Sequence, residues 1–140
     1  MIQLIYASAA VRPFSKLDLD RLLTKARARN SSHGVTGMLL YHSGSFLQVL
    51  EGPVENVDHI FASIQRDPRH RNTRILARKS ISRGEFTEWT MGFEDTSGGV
   101  IRMPGALDYY RDLPKLTIGS SDARKYLRFF QEGLCRQIAR

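Results

Sequence analysis

A chain of 140 residues is long enough for one domain with a proper hydrophobic core. Its 41% hydrophobic and 25% charged residues are ordinary for a globular protein, no apolar run could span a bilayer, and a single cysteine excludes an internal disulfide framework. The formal charge of +7 would suit nucleic acid, an anionic ligand or an acidic partner, but the Lys and Arg residues are scattered over short clusters, so most read as solvated faces and one or two remain candidates for phosphate binding.

The N-terminus has no basic n-region, and a cytoplasmic location is expected. The first element, IQLIYAS (2–8), is β-rich without helical period and predicts a strand. SKLDLDRLLTKARARN (15–30) opens with Ser15 as a candidate N-cap and Asp18 three residues later, close to a capping box. Leu19, Leu22, Leu23 and Ala26 follow at helical spacing, and the Ser/Gly-rich SSHG (31–34) should stop the helix. VTGMLLY (35–41) and SFLQVLE (45–51), separated by HSG with Gly44 in the turn, predict a hairpin. Gly52-Pro53 then starts a second helix with Pro53 at the tolerated first position, and Val54, Val57, Ile60, Phe61 and Ile64 form its core stripe. TRILARKSIS (73–82) and EWTMGFE (88–94) are further strands. The order β-α-β-β-α-β-β contains a split βαβ arrangement and predicts an α+β, ferredoxin-like sheet with both helices on one face. Ile5, Ala7 and Ile75 are expected on the other face, which needs a cover. The C-terminal helical pattern supplies one in the stripe of Leu127, Phe130, Leu134 and Ile138, and Cys135 within it reads as packing. Residues 1–95 thus form the domain proper, and residues 96–140 a linker and helical cap.

Familiar catalytic patterns are absent: there is no GxGxxG, Walker loop, HExxH or CxxC, and His33, His42, His59 and His70 show no metal-ligand spacing, so no metal is expected. What stands out is a set of polar or redox-capable side chains at core-like strand positions. Gln48 shares a strand face with Phe46 and Leu50, and a buried amide without partners costs roughly 1–3 kcal/mol. Tyr6 shares a face with Ile2 and Leu4, and Trp89 and Met91 share one with Phe93. The residues alone leave two readings open. They are core packing, with the Tyr hydroxyl and the Gln amide satisfying each other, or they are a site.

LIYAS, HGVTGMLLYHSGSFLQVLEGP, IQRDPRH and FTEWTMGF together resemble the BLUF family of flavin-based blue-light sensors, in order and at matching spacing from about residue 2 to about residue 94. The resemblance implies that FAD binds noncovalently between the two helices. Tyr6 and Gln48 match the family pair beside the polar edge of the flavin ring, and Asn30 matches the asparagine that hydrogen-bonds it. Trp89 and Met91 match the last-strand pair tied to signalling, and Arg69 and His70 the basic pair near the rest of FAD. It also implies that light moves an electron from Tyr6, with proton movement through Gln48. The electron's return leaves FAD oxidised, the hydrogen bonds rearranged and the absorption shifted to the red. The family role gives Gln48 a reason to be buried, since an amide offers both donors and an acceptor. Two positions depart from the pattern. Arg29 stands where relatives often carry His or Asn, and either contacts flavin or phosphate or points into water. Ala26 stands where several have Ser or Thr.

The rival reading is a basic ferredoxin-like module that binds RNA through aromatics on an open sheet face, without flavin. Here the aromatics of the central strands would instead have to face the helices, which counts against it. The sensor reading expects no enzymatic activity, no membrane attachment and no nucleic-acid partner. The stretch beyond residue 95 is too short for a cyclase or phosphodiesterase domain. Light is then reported to an unknown downstream protein, or to a second copy of the chain through the C-terminal helices.

Overall fold

The computed structural model describes residues 1–86, the backbone of Gly92–Asp95, and the helical positions Ala123, Lys125, Tyr126 and Phe130. The elements in chain order are β1 (Ile2–Ala10), α1 (Lys16–Ser32), β2 (Thr36–His42), β3 (Ser45–Gly52), α2 (Val54–Arg66), β4 (His70–Ser80) and β5 (Gly92–Asp95). They form one five-stranded sheet in the order β4-β1-β3-β2-β5. The first four strands pair antiparallel and β5 runs parallel to β2. This is the predicted ferredoxin-like arrangement with one strand added at the β2 edge. β3 separates β1 from β2, so the β1-α1-β2 crossover spans a strand inserted between them.

Both helices lie on one face. Leu19 and Leu23 of α1 and Val57, Ile60, Phe61 and Ile64 of α2 share a core with Ile2, Leu4, Tyr6, Leu39, Phe46 and Leu50 of the strands. The entry to α1 is the expected capping box: Ser15 Oγ accepts from the Asp18 N–H, and the Asp18 carboxylate accepts from the Ser15 N–H. The hairpin turn is Ser43-Gly44 with φ of 44° and 89°. Both central residues therefore sit at positive φ, as a tight hairpin between right-twisted strands requires.

The opposite face carries a second core of Ile5, Ala7, Met38, Leu40, Leu47 and Val49, closed by Phe86, Ala123 and Phe130. Tyr126 adds a hydrogen bond from its hydroxyl to the Leu76 carbonyl at 3.3 Å. The described C-terminal positions thus cover this face as expected, while Leu127, Leu134, Ile138 and Cys135 lie outside the described residues.

Five local expectations are corrected. Helix α1 continues past Asn30 to Ser32, because the residue that ends it is Gly34 at φ 63° rather than the serines. Pro53 is the N-cap of α2 instead of its first residue, and Val54, placed on the solvent side of the first turn, is 41% exposed rather than core. Strand β4 begins at His70, three residues before the predicted start, since it follows β1 to Ala10. Ile75 does not reach the second core. A register shift between Ile5 and Tyr6 pairs Ile75 with Tyr6, on the helix side, and leaves it 48% exposed, while Leu76 and Ala77 pack on the far side in its place.

Candidate functional site

Strands β1 and β3 are neighbours with Tyr6 directly opposite Gln48, and β2 sets Leu39 opposite Gln48 on its other side. All three point to the helix face, as period two along each strand dictates. The Tyr6 hydroxyl donates to Gln48 Oε1, both side chains are buried, and the Phe61 ring of α2 packs on the Tyr6 ring at 5.1 Å. The amide that looked misplaced among hydrophobes therefore has a phenol as its first partner. That bond uses the acceptor end of the amide, whose other end, Nε2, is a donor group.

Beside this pair a cavity of about 320 Å³ opens between the two helices, within the range of small-molecule sites. Its walls are apolar where α1 and α2 face each other, through Leu22, Ala26 and Ile64, with Leu39 on its floor. Its polar groups gather at Tyr6 and Gln48 and at Lys25, Arg29, Asp67, Arg69 and His70. Tyr6, Gln48, Arg29, Arg69 and His70 all line this one cavity. Asn30 is fully buried on the inner stripe of α1 but is not among the lining residues. Its Oδ1 and the Nε of Arg29 are buried atoms with no hydrogen-bond partner among the described residues. Trp89 and Met91 lie outside the described residues.

Arg69 and His70, the basic pair, have different surroundings. Asp67, at the C-cap of α2, takes Arg69 Nε at 3.0 Å and Nη2 at 2.6 Å on its carboxylate, and also the Arg69 N–H at 2.9 Å. The Arg69 guanidinium lies 5.8 Å from the Phe14 ring centroid. His70 turns inward, with Nδ1 3.2 Å from Ser8 Oγ and its ring 5.0 Å from that of Phe46.

Burial sets the protonation states. Desolvation raises the Tyr6 hydroxyl well above the usual phenol range, with the nearby Arg29 cation opposing it, so Tyr6 stays protonated. Desolvation lowers the His70 imidazole, which favours its neutral form at pH 7. Burial also lowers Arg29, while Arg69 holds the Asp67 carboxyl below its usual range. The cavity end nearest the pair therefore offers a neutral phenol, a neutral amide and one guanidinium.

Sequence reasoning did not single out Leu22, Lys25, Leu39, Ile64 and Asp67 as site residues. Leu22 and Ile64 belong to apolar stripes it recognised, and Asp67 lies within the IQRDPRH motif. Leu39 lies within the HGVTGMLLYHSGSFLQVLEGP motif and Lys25 within a short basic cluster, but neither stands out as a lining residue until the helices are laid over the sheet.

The family model described as sensors of blue-light using FAD matches residues 1–92. Subunit beta of the photoactivated adenylate cyclase of Euglena gracilis is 37% identical over 89 residues, 63% of this chain and 10% of the relative. Subunit alpha is 46% identical over 72 residues, 51% of this chain and 7% of the relative. The chain thus spans a tenth or less of the length of these curated relatives. Among solved structures, BlrP1 of Klebsiella pneumoniae with FMN and cyclic diGMP superposes with a TM-score of 0.76 at 32% identity, covering 94% of this chain and 34% of that one. The BLUF protein BlrB in its dark state gives a TM-score of 0.69 at 28% identity, covering 95% and 96%. With a Tyr-Gln pair at the head of an interhelical cavity and a family match over most of its length, this chain belongs to the BLUF family of blue-light sensors that use FAD.

Proposed function

We propose that the cavity between α1 and α2 holds the isoalloxazine ring of FAD, with Tyr6 and Gln48 as the pair that registers light. The observation that carries this reading is the Tyr6–Gln48 hydrogen bond at the wall of an otherwise apolar interhelical cavity. The residues present suit the group: Leu22, Ala26 and Ile64 offer apolar surface for a flat ring, and Gln48 and Arg29 offer donors for its carbonyl and nitrogen edge. Asn30 is proposed as a further polar contact, since its side-chain oxygen is buried one helical turn beyond Ala26. FAD rather than another flavin is favoured by the family description and by the Arg69 guanidinium in the cavity wall.

When bound, FAD supplies blue-light absorption and a strongly oxidising excited state. The protein's part is to keep a protonated phenol in contact with an amide, away from water. Tyr6 is the proposed electron and proton source, and the hydroxyl proton moves along its bond to Gln48 Oε1. Return of both to Tyr6 leaves the residue chemically unchanged, while the amide, which can turn or tautomerise, ends in a different hydrogen-bonded arrangement. Leucine at position 48 could not exchange donor for acceptor, and glutamate would bring a charge. Trp89 and Met91, on the chain leading into β5, are proposed to follow this rearrangement.

The RNA-binding alternative is not favoured. Tyr6, Tyr41 and Phe46 all lie in the core beneath the helices, so the central strands present no stacking platform among the described residues. The output is proposed to pass through residues 96–140 to a partner protein or a second copy of the chain, with no catalysis by the sensor itself. No described helix is long and apolar enough to cross a membrane, and a cytoplasmic site of action is proposed. An absorption spectrum of the purified protein before and after blue light tests the central reading. A yellow protein with a reversible red shift is expected, and a colourless protein that also refuses added FAD would overturn it.

A further inference from the structure

The two strands that present Tyr6 and Gln48 to the cavity present a second polar pair on the opposite face. Gln3 and Glu51 are Cα partners in the same ladder, three residues along each strand from Tyr6 and Gln48. The odd spacing puts them on the far side of the sheet. Glu51 is only 1% exposed, yet it carries a carboxylate. Its Oε1 accepts the backbone N–H groups of Glu85 at 2.8 Å and Phe86 at 2.9 Å, and its Oε2 accepts Gln3 Nε2 at 2.8 Å.

A side chain that only filled the far-face core would be apolar, because a buried carboxylate is costly unless several donors meet it. Here the donors are two consecutive amides of the segment that runs from β4 toward β5, and an apolar residue would orphan them both. Phe86, held by one of these bonds, is itself a fully buried member of the far-face core. One acid thus ties β3, β1 and the approach to β5 at a single point.

We propose that Glu51 is a positioning residue that couples the Tyr6–Gln48 pair to the chain entering β5, with the β1–β3 ladder as the lever between them. The proposal rests on the light-sensing reading of that pair. A change in how Tyr6 meets Gln48 shifts the two strands relative to each other on the helix face. The same shift alters the Gln3–Glu51 pairing on the far face, and the carboxylate passes it to the amides of Glu85 and Phe86. From there it enters the segment that carries Trp89 and Met91.

Amide hydrogen exchange in dark and blue light, on the full chain, tests this together with two variants. In the wild type, the amides of Glu85 and Phe86 should change protection on illumination along with β5. Glu51→Ala should keep flavin and the red shift but lose the light-minus-dark exchange difference from 85 to 95. Glu51→Gln should retain that difference, because its one carbonyl can take both backbone N–H groups while Gln3 turns its amide to accept from the new NH₂. The proposal is overturned if Glu51→Ala keeps the exchange difference, or if it loses the red shift as well, since Glu51 would then support the site itself. Should Glu51→Ala not fold, the wild-type measurement decides: a normal red shift with unchanged protection at Glu85 and Phe86 overturns the coupling. A wild type without any red shift overturns the light-sensing reading, and the spectrum shows that before exchange is measured.

Discussion

Tyr6→Phe removes one hydroxyl and leaves the ring, so it separates the chemistry of the pair from its packing. The ring contact with Phe61 at 5.1 Å is preserved and no cavity is created. The loss is the hydrogen bond to Gln48 Oε1, worth about 0.5–1.5 kcal/mol net, and a buried amide oxygen deprived of its partner, which raises the total toward 1–3 kcal/mol. Gln48 lines the cavity, where water or a flavin edge can satisfy the freed oxygen, so the lower end, about 1 kcal/mol, is expected. For a chain of 140 residues that corresponds to a fall in melting temperature of roughly 3–4 °C. The variant should therefore fold, bind flavin and remain yellow. Under blue light it should fail to give the reversible red shift, because no phenolic electron and proton source is left against Gln48. Urea denaturation checks the first expectation and illuminated difference spectra the second. A full red shift with wild-type recovery in Tyr6→Phe would refute the hydrogen-bond switch. A loss of stability well above 3 kcal/mol would show that the hydroxyl holds more of the core than its one bond to Gln48.

Arg69→Ala should lower FAD retention twice over, by removing a guanidinium and by leaving the Asp67 carboxylate unneutralised in the cavity wall, while the red shift of whatever flavin stays bound is nearly unchanged. Equal retention of FAD in mutant and wild type by equilibrium dialysis would place Arg69 on a solvated face, and a similar loss for FMN and FAD would place its effect on the part of the cofactor they share. His70 predicts a pH dependence. Burial lowers its folded pKa below the ordinary value of about 6.5, so the unfolded chain binds more protons between the two values. Its contribution to stability is full above about pH 6.5 and is lost as pH falls through the lowered folded pKa. Denaturation of wild type and His70→Gln at pH 7.5 and pH 5 should show a smaller drop in the variant, and equal drops would contradict the assignment.

The framework of the domain was legible because it rests on local regularities. Alternation along β1 and β3, the Ser15–Asp18 capping box, the Gly44 turn and the 3.6-residue stripe of α2 each carry their own signal, and together they dictate a ferredoxin-like order. Tyr6 and Gln48 were legible as a pair only in part. Period two put each among core residues of its own strand, and the family motif supplied their role. That they stand directly opposite each other is a matter of register, which the tertiary pairing of β1 with β3 decides. Register also moved Ile75 off the far face, because the irregularity in β4 that displaces it leaves no mark in an otherwise regular strand sequence. The Asp67–Arg69 clamp was hidden for a different reason. Two residues of opposite charge in one turn read as independent solvated groups until the end of α2 brings them together. Glu51 was the least visible of all. In the string LEG it reads as the polar end of a strand, and only closure of the segment at 85–86 over the far face turns it into a buried acceptor for three donors. Strand and helix formation depend on neighbours a few residues away and so are written locally. The meeting of side chains more than thirty positions apart depends on register and on which face each element covers, and the folded chain alone decides both.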